Sequence, residues 1–207
     1  VADMLNRIGL ELECWLLKGN KIVEPQLYGF PFDEYGFLIE IRTHPHSTVK
    51  DLLEEFNCLW LSHKARAEAL GLRLVIQPRR FLGKNLINCL KQKYGWDVLP
   101  DLTANVYSGI RKSHATGVDV EYGTAALHVH FSSHDKKGRR VQLPIREIVF
   151  AMDARFNEVV AKAKRIHGEF EIKVHGFEYR SLPATVNIKE VVEFAFHLLE
   201  CYREFYV

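Results

Sequence analysis

The chain has 207 residues, 47% of them apolar and 26% charged, with a formal net charge of +2. That length suits one compact domain with a sizeable core, and the composition is that of an ordinary globular protein, not a disordered or fibrous one. So small a net charge gives no bulk reason to expect a nucleic-acid partner, and no run of about eighteen apolar residues is present to span a bilayer.

Residues 7–17 and 36–43 read as strands, separated by a segment rich in Gly, Pro and aromatics from Pro25 to Tyr35. An amphipathic helix follows from Ser47. Thr48 and Asp51 form its Ser/Thr-x-x-acid start, and Leu52, Leu53, Phe56, Leu59, Trp60 and His63 recur at helical spacing before Gly71. LRLVIQP is a short buried strand closed by Pro78. Residues 81–94 predict a second helix, with Phe81, Leu82, Leu86, Ile87 and Leu90 on one side. The polar stretch 96–123, which carries Arg111-Lys112-Ser113-His114, reads as a long loop with room for one strand.

Strand 125–132 comes next, then a turn at Lys137-Gly138. A helix begins near Pro144, with Ile148, Val149, Met152, Phe156, Val159 and Val160 as its apolar stripe. After Gly168 come a short strand, the strand around Glu178, and a last helix over 187–206 carrying Val191, Phe194, Ala195, Leu198 and Tyr202. Hairpin-like strand pairs with helices between them predict an α+β fold with a largely antiparallel sheet, in a single domain spanning 1–207.

The four cysteines have no metal-ligand spacing, and Cys14, Cys58 and Cys89 sit in apolar patterns as small buried hydrophobes. The basic clusters Arg79-Arg80 and Lys136 to Arg140 read as solvated loops. No secretory leader is visible, so a reduced cytoplasmic setting is expected. The chain opens on Val1, not Met, and the native start is expected upstream.

Chemistry concentrates in four strand-like runs that share one design, two polar residues spaced by one. They are Glu11 and Glu13 in IGLELECWLL, Glu40 and Arg42 in GFLIEIRT, His128 and His130 in AALHVHFSS, and Glu178 and Arg180 in GFEYRSLP. Side chains at i and i+2 of a strand share a face. The opposite face of each run is apolar: Leu10, Leu12, Cys14, Ile39, Ile41, Leu127, Val129, Phe131, Phe177 and Tyr179. Any one pair alone is an ordinary solvated strand face. Together they would set four carboxylates, two imidazoles and two guanidiniums on one surface. At about 4 Å and an effective dielectric near 20, each carboxylate pair costs roughly 4 kcal/mol, so either some protonate or a divalent cation sits among them. Oxygen-rich donors with an imidazole suit Mg²⁺ or Mn²⁺ better than zinc, and arginines match phosphate.

The series GLELE, FLIEIRT, ALHVHFS and FEYRS resembles the glutamine synthetase / glutamate–cysteine ligase superfamily of ATP-dependent carboxylate–amine ligases, in particular its short phage-encoded amidoligase branch. The resemblance runs from about residue 8 to residue 183, with the motifs in the family's order. It implies a curved, mostly antiparallel sheet with helices on its convex face, and a concave face that binds ATP, Mg²⁺ (or Mn²⁺) and the substrate carboxylate. It implies metal ligands at Glu11, Glu13, Asp33, Glu40, His128 and Glu178. His128 and His130 would also meet the nucleotide, Arg180 would neutralise the transferred phosphate with Arg42 beside it, and Arg111 and Lys112 would serve as clamps. Thr43 falls near the family's threonine. The synthetase's small N-terminal domain has no counterpart, Glu121 is the one candidate for its intermediate metal glutamates, and no stretch marks an adenine or amino-acid pocket.

The implied activity is ATP-dependent amide or peptide bond formation through an acyl phosphate, on small-molecule or peptide acids and amines. Two other readings of the same residues stay open: a metal-dependent hydrolase or nuclease, and a non-catalytic ligase-like binding domain.

Overall fold

The computed structural model describes residues 7–33, 37–94, 101–106, 109–114, 122–134, 138–184 and 187–203. In chain order the elements are β1 (Ile8–Lys18), β2 (Lys21–Ile22), β3 (Leu38–Arg42), α1 (Val49–Ala69), β4 (Arg73–Val75), β5 (Arg79–Phe81), α2 (Lys84–Tyr94), β6 (Asp101–Val106) and β7 (Gly109–His114). Then follow β8 (Tyr122–Thr124), β9 (Ala126–Ser132), α3 (Ile145–Lys162), β10 (Phe170–Lys173), β11 (Gly176–Pro183) and α4 (Ile188–Arg203). The protein is α+β, built on a strongly curled antiparallel sheet of nine described strands.

β1 is the spine of that sheet. Glu11 and Leu12 pair with Arg42 and Ile41 of β3 on one edge and with His128 and Leu127 of β9 on the other. From β9 the sheet continues through β11 and β10 to the β6–β7 hairpin. The four motif strands are therefore consecutive neighbours, in the order β3-β1-β9-β11.

Period-2 alternation decides what each face carries. Leu10, Leu12, Cys14, Ile39, Ile41, Leu127, Val129, Phe131, Phe177 and Tyr179 are all at most 1% exposed and form the centre of the core. Phe131 and Phe177 stack with ring centroids 4.7 Å apart. Helices cover this face: α1 and α4 lie against β1, and α3 lies against β11. The expected capping holds, since Thr48 Oγ1 accepts a hydrogen bond from the Asp51 N–H, and Leu52 and Phe56 are buried. The stripe of α3 is buried at Ile148, Val149, Met152, Phe156 and Val160, and that of α4 at Val191, Ala195 and Leu198.

On the other face, the polar run of β1 stops at Glu13. Trp15 and Leu17 continue the same face but are buried. Phe37 and the small β5–β8 sheet close over Trp15: its ring stacks on Phe37 at 5.8 Å, and a Cβ at Gly123 of β8 would lie 2.6 Å from it. An apolar plug thus walls off one end of the polar surface.

Several expectations need correction. The described residues of 96–123 are strand and not loop, in β6, β7 and the start of β8; strands as polar as DLTANV and GIRKSH leave little apolar alternation to read. The helix placed at 81–94 begins at Lys84, and Phe81 is 54% exposed at the end of β5. Arg79-Arg80 lies on that strand and not in a loop. The strand read over 72–78 is ordered as a strand only at Arg73–Val75. Cys14 is buried, but Cys58 and Cys89 are exposed on their helices, because a cysteine beside apolar residues need not share their face. Lys136, Lys137 and residues 204–206 of the last predicted helix lie outside the described residues.

The β10–β11 hairpin closes tightly on β9. A Cβ at Gly176 would lie 1.9 Å from the Phe131 carbonyl oxygen, where only backbone can yield. Gly176→Ala is expected to lower Tm by roughly 5–10 °C, measured by thermal denaturation, while Gly138→Ala, with nothing within 4 Å and only the strain of its φ of 73° to bear, should shift it less.

Candidate functional site

The polar face encloses a cavity of about 940 Å³, and its lining includes Glu11, Glu13, Asp33, Glu40, Arg42, His128, His130, Glu178 and Arg180. Residues from four separate sequence motifs, with Asp33 ahead of β3, thus reach one space. Register explains how: Glu13 lies opposite Glu40, Glu11 opposite both Arg42 and His128, and His130 opposite Glu178. Every pair faces away from the helices.

His128 sits at the centre. Its Nδ1 is 2.9 Å from Glu11 Oε1 and 2.8 Å from Glu178 Oε1, so one imidazole edge joins the first motif to the last. Glu11 also meets Arg42 Nε at 2.7 Å, and the Ala126 N–H donates to Glu13 Oε2 at 2.7 Å. Glu178, 1% exposed, is held by three cationic groups: His128, Arg180 Nη1 at 2.7 Å and Lys173 Nζ at 3.0 Å.

The expected metal ligands separate into groups. Donor atoms of Glu11, Glu13 and His128 lie within 4.8 Å of one another, a spacing that fits a single cation. Glu40 faces the same space across from Glu13 but is tied to the Arg42 guanidinium. Asp33 commits Oδ1 to the N–H groups of Phe37 and Leu38, fixing the start of β3. Thr43 is likewise a backbone anchor, its hydroxyl accepting from the Leu10 N–H. Arg111 and Lys112 lie on β7 at the far edge of the sheet, beyond β10 and β6, and their side chains fall outside the described residues. Glu121 falls outside them altogether.

Three further ionisable lining residues escaped the sequence reading: Glu171, Lys173 and His175, on the β10–β11 hairpin. Glu171 pairs with Glu178 in register and, with it, brackets Arg180 and Lys173. The His175 ring lies 5.5 Å from that of His130. The signal was present in FEIK, where Glu171 and Lys173 repeat the one-apart spacing of the four motifs.

Arg180 owes its position to a bulge. Tyr179 pairs with Val129 and Leu182 with Leu127, so β11 spends three steps where β9 spends two. The Arg180 carbonyl accepts from Arg165 Nη2 at 2.6 Å, and the Arg180 N–H donates to the Glu169 carbonyl at 2.9 Å. Behind it, the Tyr179 hydroxyl donates to the buried Asp153 of α3 at 2.5 Å.

Charge is unevenly spread. The cavity gathers six carboxylates against three fixed cations, Arg42, Lys173 and Arg180, with the three imidazoles between them. Lys173 and Arg180 stand on the β10–β11 side, so the β1–β3 side is acidic. Burial, then the neighbouring Glu11 carboxylate, pushes Glu40 up to about 8 despite Arg42. Burial alone would raise Glu11 and Glu178, but their hydrogen bonds to His128 hold both well below the usual carboxylate range. Burial and Arg180 act to lower His128, and the carboxylates of Glu11 and Glu178 outweigh them, placing it at about 9.

No family model, curated protein or solved structure matches this chain. Among the described residues, no helix is long and apolar enough to cross a membrane.

These shifts fix how the metal-free protein responds to pH. Glu40 and His128 hold protons in the folded chain that the unfolded chain releases from about 4.5 and 6.5, so their contribution to stability is lost as pH rises through about 8 and about 9. Glu11 and Glu178 act oppositely and lose their contribution on acidification below about 4.5. After chelator treatment, Tm should therefore fall between about pH 6 and 9, and added Mn²⁺ should raise it by an increment that grows with pH, because binding at His128 expels its proton. A flat, Mn²⁺-insensitive Tm would contradict the metal assignment.

Proposed function

We propose that this chain is an ATP- and Mg²⁺-dependent (or Mn²⁺-dependent) carboxylate–amine ligase, with a catalytic sheet of the glutamine synthetase / glutamate–cysteine ligase kind and closest in type to the short phage amidoligases. One observation carries the reading: the four motif strands are consecutive in the sheet, and their eight polar side chains line a single cavity. A solvated strand face has no reason to converge in this way, nor to leave carboxylates buried.

Glu11, Glu13 and His128 would hold the first metal ion, with Glu40 and Glu178 as neighbouring acidic positions. The chemistry the ions supply is neutralisation of phosphate charge. The remaining work falls to this chain. Arg180, fixed by its bulge and by Glu171 and Glu178, presents a guanidinium suited to bidentate contact with a transferring phosphoryl group. Lys173 adds a point charge beside it. The apolar plug at Trp15 and Phe37 excludes water from one end.

In the reaction, a carboxylate oxygen of the acid attacks the γ-phosphorus and ADP leaves with the bridging oxygen. The amine then attacks the acyl carbon, and phosphate departs with the oxygen that came from the acid. Soluble small-molecule or peptide acids and amines, met in the cytoplasm, are the substrates this reading requires.

The test is a screen of amino-acid and polyamine pairs with ATP and Mg²⁺, read by mass spectrometry of the products. ADP should appear only when both an acid and an amine are present. An acid labelled with ¹⁸O should pass one label into phosphate. ADP formed without the pair, or unlabelled phosphate, favours a metal-dependent hydrolase. Glu13→Gln, which keeps an acceptor for the Ala126 N–H, should retain the fold and cut turnover by at least about 100-fold. Arg180→Lys should cost at least about tenfold, because the guanidinium fork is lost.

A further inference from the structure

Arg42 departs from the arrangement of the other cations in the cavity. Lys173 and Arg180 serve Glu178 on the β11 side, whereas Arg42 lies against the acidic side. Its Nε is 2.7 Å from Glu11 Oε2 and its Nη2 is 2.5 Å from Glu40 Oε2. The carboxylates it bridges are 9% and 10% exposed, while its own side chain is 63% exposed. The backbone behind it is fixed, because the Thr43 N–H donates to the Leu10 carbonyl and the Thr43 hydroxyl accepts from the Leu10 N–H. An anchored strand end thus carries a long side chain whose charged tip reaches inward and whose flank faces solvent.

Glu11 is at once one of the two partners of that tip and one of three donors that converge on a cation-sized space with Glu13 and His128. An arginine and a divalent ion drawn to the same carboxylates repel each other and compete for the same oxygens. We infer that Arg42 is the resident cation of the site before metal binds: its guanidinium neutralises Glu11 and Glu40 until a divalent ion displaces it, and the displaced guanidinium then grips the anionic phosphate ligand at the cavity mouth. The inference rests on the ligase reading and adds an ordered loading of the site, metal before phosphate. Swinging out requires only side-chain rotation, since most of the Arg42 side chain already contacts solvent.

The experiment measures Mn²⁺ uptake by the whole chain, from the electron paramagnetic resonance of free Mn²⁺, for the wild type, Arg42→Gln and Arg42→Lys. ATP is then titrated at saturating Mn²⁺ by calorimetry. Arg42→Gln should bind Mn²⁺ roughly five- to tenfold more tightly, because the competitor is gone, and bind ATP about tenfold more weakly. Arg42→Lys, which keeps the charge and loses the fork, should fall between the two on both counts. A Gln variant that binds Mn²⁺ no more tightly than a Mn²⁺-binding wild type overturns the role of Arg42 and leaves the ligase reading standing. Unchanged ATP affinity in that variant overturns the grip on the anion. A wild-type chain that takes up no Mn²⁺ overturns the ligase reading, and this inference with it.

Discussion

The pairing of β1 on both of its edges at once is the constraint from which the site follows. Glu11 pairs with β3 on one side and β9 on the other, so a single residue fixes the register of three strands. Side chains alternate with a period of two, and a slip of one residue on any of these strands would turn its carboxylates or imidazoles into the helix-covered core. Burial of Leu10, Leu12, Ile41 and Val129 in the core behind the sheet therefore holds the polar row in place. The energy that folds the back of the sheet is what aims the front.

Aiming so many acids into one space carries an electrostatic cost, and the protein offsets it differently at the two ends. Near β10 and β11 the balance is internal: Lys173, Arg180 and the His128 edge surround Glu178, which stays ionised at 1% exposure. Near β3 the balance is incomplete. Among the lining residues Arg42 is the fixed cation at this end, sharing Glu11 with His128, and Glu40, raised first by burial and then by the neighbouring Glu11 carboxylate, keeps an elevated proton affinity. An end where carboxylates outnumber cations, beside an end with two cations that can hold an anion, matches the polarity a metal–phosphate ligand presents.

The back of the sheet is not purely apolar. Tyr179 projects toward α3 and donates to Asp153, and Arg165, just past the end of α3, donates to the Arg180 carbonyl. These two ties flank the bulge that turns Arg180 toward the cavity. A bulge releases backbone groups from the ladder, and unless they find partners the strand straightens or frays. Here a guanidinium and the Glu169 carbonyl take them up.

What the sequence could determine was whatever depends on near neighbours along the chain. Glu11 with Glu13, Glu40 with Arg42, His128 with His130 and Glu178 with Arg180 must share faces because strand geometry leaves no choice, and the apolar residues between them had to be core. The same local logic found Thr48 as a helix cap and the stripes of α3 and α4. It under-read β6, β7 and β8, whose polar residues carry no periodic apolar signal, and it passed over Glu171 and Lys173 in a strand too short to stand out. It also could not tell that Asp33 Oδ1 and the Thr43 hydroxyl accept from backbone N–H groups. Only the tertiary structure decided that the four pairs are adjacent, that Glu13 reaches the backbone of a residue 113 positions away, and that Arg42 lies on the acids and not with the other cations. Those facts depend on which strand edges meet, and edge choice is set by burial summed over the whole sheet and by no single segment of it.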